Sequence, residues 1–169
     1  MQVDPLAQGH NPVFDDPMLL GVISDTHGLL RPEALEALAG VEHIIHAGDV
    51  GSPGIIPRLA EIAPITAIRG NVDTQPWARD IPAREVVTLA GRTIYVIHDL
   101  GDLDLDPVAV GVDMVVSGHS HMPKVETRRG VFYLNPGSAG PRRFRLPVAL
   151  ARVDLASDQI RPENHELPL

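Results

Sequence analysis

The stretch VVSGHSHMP (Val115–Pro123) is an apolar, β-branched run that ends in a glycine and two histidines, His119 and His121. Such a run is typical of a buried strand, and the glycine permits a tight turn in which the backbone approaches a ligand closely. Four other apolar runs in the chain also end in side chains that can bind a metal. These donors are Asp25 and His27 after the first run, Asp49 after the second, Asn71 after the third and His98 after the fourth.

The shared position of these donors favours one common site. Ligands of open α/β sheets bind outside the carboxyl ends of the strands, so five neighbouring endings would surround one point. Carboxylates, an amide oxygen and imidazoles are costly to bury unpaired, and divalent cations would satisfy all of them. Each residue also has a structural alternative: Asp25 as a helix cap, Asn71 in an Asx turn, His98 as a structural histidine. Because five strands all end in such side chains at the same edge, a shared metal site is favoured over five separate structural roles.

The hydrophobic pattern predicts an α/β fold. In the first half, short apolar runs alternate with two helical segments, residues 31–40 and 53–63, which indicates parallel strands. The second half predicts three hairpins, with turns at Ala90-Gly91, Gly130 and Ser157-Asp158. We expect a four-layer αββα sandwich of two mixed β-sheets flanked by helices, in a single domain of residues 18–169. Residues 1–17 are polar, rich in Pro and Asp, and predict a loose N-terminal extension.

Composition narrows the class of protein. The chain has 169 residues, a net charge of −8 and no cysteine, which excludes disulfides, thiolate zinc sites and a cysteine nucleophile. The acidic balance disfavours nucleic acid as a partner. No apolar run approaches the roughly 20 residues of a membrane span. The N-terminal residues lack a signal-peptide pattern, so we expect a cytoplasmic protein. Hairpin edges permit a homo-oligomer, although nothing in the sequence demands one.

The motifs SDTHG, HAGDV, GNVD, IHD and GHSH, in this order, resemble the calcineurin-like metallophosphoesterase superfamily. The resemblance runs from Leu19 to about Ser138, and NPGS (residues 135–138) is similar to the small YfcE-like phosphodiesterases of bacteria and archaea. It implies two mixed sheets flanked by helices and a site for two metal ions. The implied ligands are Asp25, His27, Asp49 and His121 for one metal, and Asp49, Asn71, His98 and His119 for the other, with Asp49 bridging.

Such a site predicts a metal-dependent phosphodiesterase that acts on a small phosphate ester. Two divalent ions about 3.5–4 Å apart lower the pKa of a bridging water, and the resulting hydroxide attacks phosphorus in line with the leaving oxygen. Asp49, Asn71 and His98 are the predicted catalytic residues. The family precedent favours Mn²⁺, while Fe²⁺, Zn²⁺, Ni²⁺ and Mg²⁺ also suit oxygen and nitrogen ligands. Arg142 and Arg145 are candidate substrate-binding residues, with a solvated charged turn as the alternative.

Two residues depart from the pattern of the family. Many members have a histidine after the asparagine, where it is thought to protonate the leaving group, whereas this chain has Val72. General acid catalysis is typically worth about 10²–10⁴-fold, so we expect a preference for good leaving groups or a modest rate. Asp99 stands where relatives usually have glycine, and it either hydrogen-bonds a ligand imidazole or faces solvent. His46 is expected in the core or supporting a ligand, and Asp73 is expected to orient its neighbours or to cap the next segment.

Two other functions fit the same fold. A eukaryotic retromer subunit resembles it and serves as a protein-binding scaffold with an impaired metal site. A nuclease of the superfamily is the other alternative, although the acidic chain and its short length disfavour it. Every ligand position in this chain carries a competent donor, which favours the enzyme.

Overall fold

The computed structural model describes residues 16–156 and 158–169, and these residues form ten β-strands and two α-helices. Most of the predicted N-terminal extension, residues 1–15, lies outside the described residues, as does Ser157 of the last predicted turn. The helices are α1 (Pro32–Ala37) and α2 (Ile55–Ala60). The strands are β1 (Met18–Ile23), β2 (His43–His46), β3 (Ile65–Ala67), β4 (Arg84–Leu89), β5 (Arg92–Ile97), β6 (Met114–Val116), β7 (Lys124–Arg128), β8 (Val131–Asn135), β9 (Ala149–Leu155) and β10 (Ile160–Glu166).

The strands form two five-stranded mixed sheets, with the orders β10-β9-β1-β2-β3 and β4-β5-β6-β8-β7. In the first sheet β1, β2 and β3 are parallel, while β9 and β10 form an antiparallel hairpin at its edge. In the second sheet β5, β6 and β8 are parallel, and hairpins attach β4 and β7. The three predicted hairpins and the predicted pair of mixed sheets are therefore confirmed.

The main core lies between the two sheets. Buried aliphatic side chains from both inner faces meet there, among them Val22 and Ile45 of the first sheet and Val96 and Leu134 of the second. Burying aliphatic side chains of this size is worth about 1.5–3 kcal/mol each relative to exposure. This contact fixes the two sheets against each other and so fixes the relative positions of their strand ends.

The outer faces of the two sheets are covered differently. Both α-helices pack on the first sheet, where Leu38 and Leu59 are fully buried. Within the described residues, the second sheet carries no α-helix on its outer face. Leu100, Leu103 and Leu105, from a short 3-10 turn and the loop that follows it, pack there instead against Tyr95 and other strand side chains. The fourth layer of the expected sandwich is therefore a loop layer. No helix among the described residues is long and apolar enough to cross a membrane.

Candidate metal centre

The seven predicted ligands all follow strands of the parallel parts of the two sheets. In the first sheet, β1, β2 and β3 are each followed by predicted ligands, and in the second sheet β5 and β6 are. Because parallel strands end at the same edge, the fold brings donors that are almost one hundred residues apart to one place. The residues are Asp25, His27, Asp49, Asn71, His98, His119 and His121.

One group of donors consists of Asp25, His27 and His121, whose ligand atoms all lie within 4.8 Å of one another. His121 Nε2 is 3.2 Å from Asp25 Oδ1 and 3.2 Å from His27 Nε2. His27 Nε2 is also 3.6 Å from the same carboxylate oxygen. Asp25 and His121 are buried, and His27 is partly exposed. The three donors therefore point at one small volume.

A second group consists of Asp49, His98 and His119, again with ligand atoms within 4.8 Å of one another. His98 Nε2 is 3.2 Å from Asp49 Oδ2, and Asn71 Oδ1 is 3.2 Å from His119 Nδ1. The oxygen Asp49 Oδ2 is also 3.6 Å from His27 Nε2 of the first group. One carboxylate oxygen thus lies between the two groups, where a bridging ligand would have to be.

The bonding around these donors fits cations better than protons. The Ala47 carbonyl accepts a hydrogen bond from His98 Nδ1 at 2.7 Å, so Nδ1 carries a proton and Nε2 is the nitrogen that points into the site. His98 Nε2 and Asp25 Oδ1 are both buried, and neither has a hydrogen-bond partner among the described residues. Buried polar atoms without partners are costly, and a divalent cation satisfies carboxylate oxygens and imidazole nitrogens together. The donor set therefore fits divalent metal ions.

The pKa values of the two aspartates show that the site favours their charged forms. Burial alone would raise the pKa of Asp49, but His98 and the Val72 N–H, which donates to Oδ1 at 3.1 Å, lower it to about 2. Burial likewise opposes ionisation of Asp25, while His27 and the Ser24 hydroxyl bring its pKa below the usual value. Both side chains are consequently carboxylates at neutral pH, as metal ligands must be.

The backbone at the ligands is unusual in a way that the sequence does not reveal. Asp25, His27, Asp49, His119 and His121 all have positive φ, between 47° and 68°. Residues other than glycine rarely adopt this left-handed region, which costs about 1 kcal/mol or more each, and such residues cluster at functional sites. The turns after β1, β2 and β6 are thus held in conformations that aim these side chains inward.

Hydrogen bonds from neighbouring residues hold the ligands in place. The Ser24 hydroxyl donates to Asp25 Oδ2 at 2.6 Å, and the His119 N–H donates to the same oxygen at 3.0 Å. The Asn135 amide donates to the Gly118 carbonyl at 2.9 Å, and the Ser138 hydroxyl donates to the Asp25 carbonyl at 2.8 Å. The NPGS segment therefore fixes the ligand-bearing turns. In the sequence it was a marker of the subfamily, without a physical role.

Asp73 connects two ligand-bearing loops. Its buried carboxylate accepts hydrogen bonds from the N–H groups of Val50 at 3.0 Å, Gly51 at 2.9 Å and Gly70 at 2.9 Å. The loop after β2 carries Asp49 and the loop after β3 carries Asn71, so one side chain sets the distance between them. The first alternative for Asp73, orienting its neighbours, describes this arrangement.

His46 is fully buried beneath the site as a neutral imidazole. Its Nδ1 accepts from the Gly48 N–H at 3.2 Å, and its Nε2 lies 3.0 Å from the hydroxyl oxygen of Thr26. That hydroxyl donates to the Val50 carbonyl at 2.8 Å, so Nε2 is the donor to it. Burial lowers the pKa of His46 to about 4, because the charged imidazolium would lose its hydration there. His46 therefore supports the turns from the core.

Two glycines allow the ligands to pack this closely. A Cβ atom at Gly70 would lie 2.1 Å from Asp49 Oδ1 and 2.4 Å from Asp49 N. A Cβ atom at Gly118 would lie 2.1 Å from the Ser24 hydroxyl oxygen and 2.5 Å from Asp25 Oδ2. These two positions, each one residue before a predicted ligand, therefore require glycine.

The residues that depart from the family pattern lie at the rim. Val72 is 44% exposed beside the site. Asp99 is partly exposed, with Oδ2 3.6 Å from His119 Nε2 and Oδ1 accepting from the Gly101 N–H at 2.9 Å. It thus faces solvent and also lies near a ligand imidazole, at a distance beyond a hydrogen bond.

Arg142 and Arg145 are exposed, and none of the hydrogen bonds or ion pairs between described residues involves them. The structure does not bring them to the predicted ligands by any direct contact. The neighbouring Arg143 is close enough for its charge to contribute to the lowered pKa of His121, although burial is the larger cause. Substrate binding by Arg142 and Arg145 stays a prediction.

This two-sheet fold, with two clusters of carboxylates and imidazoles at its strand ends, defines a candidate metal-dependent hydrolase. Residues 18–158 match the calcineurin-like phosphoesterase superfamily domain, and the chain belongs to this superfamily. A probable metallophosphoesterase of Methanothermobacter thermautotrophicus is 35% identical over 150 residues, which are 81% of this chain and 87% of the relative. The phosphodiesterase YfcE of Escherichia coli is 27% identical over 167 residues, covering 81% of this chain and 88% of YfcE.

Solved structures agree with the fold. A structure described as that of a novel archaeal phosphodiesterase superposes with a TM-score of 0.72 at 25% identity, over 88% of this chain and 100% of the other. Vps29 of Chaetomium thermophilum also gives a TM-score of 0.72, at 17% identity, over 89% of this chain and 100% of Vps29. The likeness to Vps29 concerns the fold alone. The predicted resemblance to the superfamily and its YfcE-like members is confirmed.

Proposed function

We propose that the protein is a phosphodiesterase that uses two divalent metal ions to hydrolyse a small phosphate ester. The observation that carries this proposal is the position of Asp49 Oδ2, which lies 3.2 Å from His98 Nε2 and 3.6 Å from His27 Nε2. A carboxylate oxygen between two clusters of metal-binding side chains suits a ligand shared by two metals. Relatives named phosphodiesterase and metallophosphoesterase support the reaction class.

The residues divide between the two metals as the resemblance implies. Bound divalent ions would supply a water of lowered pKa and electrostatic stabilisation of the phosphoryl oxygens. Oxygen and nitrogen ligands without sulfur suit Mn²⁺, our first choice, and also Fe²⁺, Zn²⁺, Ni²⁺ and Mg²⁺. The first metal would be held by Asp25, His27, Asp49 and His121, and the second by Asp49, Asn71, His98 and His119.

In the reaction, the protein itself holds these donors and shapes the opening through which the substrate reaches them. The Ala47 carbonyl keeps His98 in the tautomer that presents Nε2. Val72 has no proton to give to a leaving group, so the ester oxygen must leave without help from that position. We therefore expect esters with acidic leaving groups to be cleaved better than esters with poor leaving groups, while the preference for diesters over monoesters is proposed from the relatives named phosphodiesterase.

The test uses metal-stripped protein with bis-p-nitrophenyl phosphate and p-nitrophenyl phosphate in parallel, with Mn²⁺ restored. The proposal expects metal-dependent hydrolysis of the diester well above that of the monoester. His98→Ala should abolish the diester activity, whereas the exposed Asp80→Ala, outside the site, should retain it. Wild-type protein that cleaves neither ester with any of the five metals would refute the proposal and favour a non-catalytic scaffold.

The remaining parts of the function are predictions from composition. The acidic chain and its small domain favour a small substrate over nucleic acid, and we propose a cytoplasmic location. A nuclease would bind nucleic acid with an affinity that falls steeply as the salt concentration rises. That result would make nucleic acid the proposed substrate in place of a small phosphate ester.

A further inference from the structure

A cavity lies beside the candidate metal centre and extends beyond the proposed ligands, of which His119 alone lines it. It has a volume of about 270 Å³, and His119 and Asp99 lie at the end nearest the metal centre. The same two residues line the cleft that contains Asn71 and His98, so the cavity and the metal cleft are adjacent. An ester bound in the metal cleft would therefore lie next to this cavity.

Apolar side chains form much of the cavity wall. Leu100, Met122 and Tyr133 line it, and Leu134 forms part of its floor. Met122 is 53% exposed and so offers apolar surface to a molecule in the cavity. The Tyr133 ring has the Arg128 guanidinium over one face, 4.6 Å from the ring centroid. The ring is thereby held in one orientation along the wall.

The charges at the cavity disfavour an anionic substituent. Glu126 accepts from Lys124 at 2.9 Å and from Arg128 Nε at 2.6 Å, so both cations are already paired. Those contacts hold the pKa of Glu126 near 2, so it remains anionic at neutral pH. Asp99 adds a further carboxylate at the end nearest the metals. A second phosphate or a carboxylate would therefore find no unpaired cation among these lining residues.

We infer that this cavity binds an uncharged aromatic substituent of the phosphodiester. The inference rests on the proposed function and adds the substrate class: a diester that carries one planar ring system on the phosphate. Pockets for whole drug-sized ligands are about 300–1,000 Å³, so 270 Å³ suits one ring system and not a larger group. Met122 and Tyr133 are the proposed specificity residues, since their side chains provide apolar surface in the cavity wall, while Met122 is joined to the GHSH turn only through its backbone N–H, which donates to Ser120 Oγ at 3.3 Å.

The test compares two diesters with the same leaving group, phenyl p-nitrophenyl phosphate and methyl p-nitrophenyl phosphate, on the metal-restored protein. Met122→Gln keeps side-chain length and makes the wall polar. Because one methylene in an apolar pocket is worth about 10-fold or more in kcat/KM, we expect the phenyl-to-methyl ratio to fall about 10-fold. Tyr133→Leu, which keeps an apolar wall without the ring, should lower the ratio less. Val86→Gln is the matched control, since Val86 is 54% exposed on β4, away from the cavity.

Binding without turnover provides an independent readout. Diphenyl phosphate has poor leaving groups, so calorimetry can compare its affinity with that of dimethyl phosphate. We expect the wild type to prefer the diphenyl ester and Met122→Gln to lose most of that preference. Equal ratios and equal preferences in wild type and Met122→Gln would overturn the inference while leaving the phosphodiesterase proposal intact. Failure of the wild type to cleave either p-nitrophenyl diester would instead refute the proposed function.

Discussion

Replacing Asp73 by alanine should lower the free energy of unfolding more than any single change at the exposed rim of the site does. The carboxylate accepts three backbone hydrogen bonds, and the one from Val50 is fully buried. Leaving a buried donor unpaired costs about 1–3 kcal/mol, and the two partly buried donors, Gly51 and Gly70, lose about 1 kcal/mol each when water replaces the carboxylate. The free energy of unfolding should therefore fall by about 3–5 kcal/mol.

The conservative change Asp73→Asn keeps the volume of the side chain, so it separates the contribution of the hydrogen bonds to stability from that of packing. Its single carbonyl oxygen can still accept from Val50 and Gly70, which share Oδ2 in the present structure. Only the bond from Gly51 is lost, so we expect a loss of about 1–2 kcal/mol. Asp80→Ala, at an exposed position, should change the stability by no more than about 0.5 kcal/mol.

Urea denaturation followed by circular dichroism measures these differences, in buffer with a chelator so that metal binding does not contribute to stability. The expected order of destabilisation is Asp73→Ala, then Asp73→Asn, then Asp80→Ala. If Asp73→Ala were no more destabilising than Asp80→Ala, the view that Asp73 ties the two ligand-bearing loops together would be wrong.

Three further changes test other parts of the site. Gly70→Ala places a Cβ atom 2.1 Å from Asp49 Oδ1, so metal affinity by calorimetry should fall about 10–100-fold, whereas Gly54→Ala, with open space around it, should not alter it. Val72→His should raise the hydrolysis of poor-leaving-group diesters about 10-fold, and no gain would argue against a missing proton donor. The pKa of His46 is about 4 when folded and 6.5 ordinarily, so the unfolded chain binds the proton first as pH falls. Wild-type metal-free protein should therefore lose about 3 kcal/mol more stability than His46→Gln between pH 6.5 and 4; equal losses would contradict this.

The sequence was sufficient to predict the fold because its signals are local. Apolar runs that alternate with helical segments predict the parallel strands. The pairs β4-β5, β7-β8 and β9-β10 form the three expected hairpins. The loop layer on the second sheet was not predicted. Residues 107–111 form a turn that ends at Gly111, which has a positive φ, and leucines cover the sheet instead. Tertiary packing of scattered apolar residues leaves no periodic signal.

The sequence predicts which side chains are candidate ligands and that they lie together, whereas it does not predict the hydrogen bonds that hold them. Donors that follow strands are visible in one dimension, because strand ends are marked by glycine and a change to polar residues. The bonds from Val50 and Gly51 to Asp73 and the contact of Ser138 with the Asp25 carbonyl join residues far apart in the chain. Positive φ at non-glycine residues such as His119 and His121 also leaves no mark in the sequence, since surrounding contacts impose it.

The most direct test of two metals sharing Asp49 is a stoichiometric titration of metal-stripped protein with Mn²⁺, measuring bound metal and hydrolysis of bis-p-nitrophenyl phosphate together. Each group offers three donor side chains that could hold one metal ion, so activity should rise until two equivalents per chain are bound and then stop. Asp49→Asn, which weakens the ligand proposed to be shared by both metals, should reduce the affinity of both equivalents. Full activity at one equivalent, or two bound equivalents with no hydrolysis, would contradict the account.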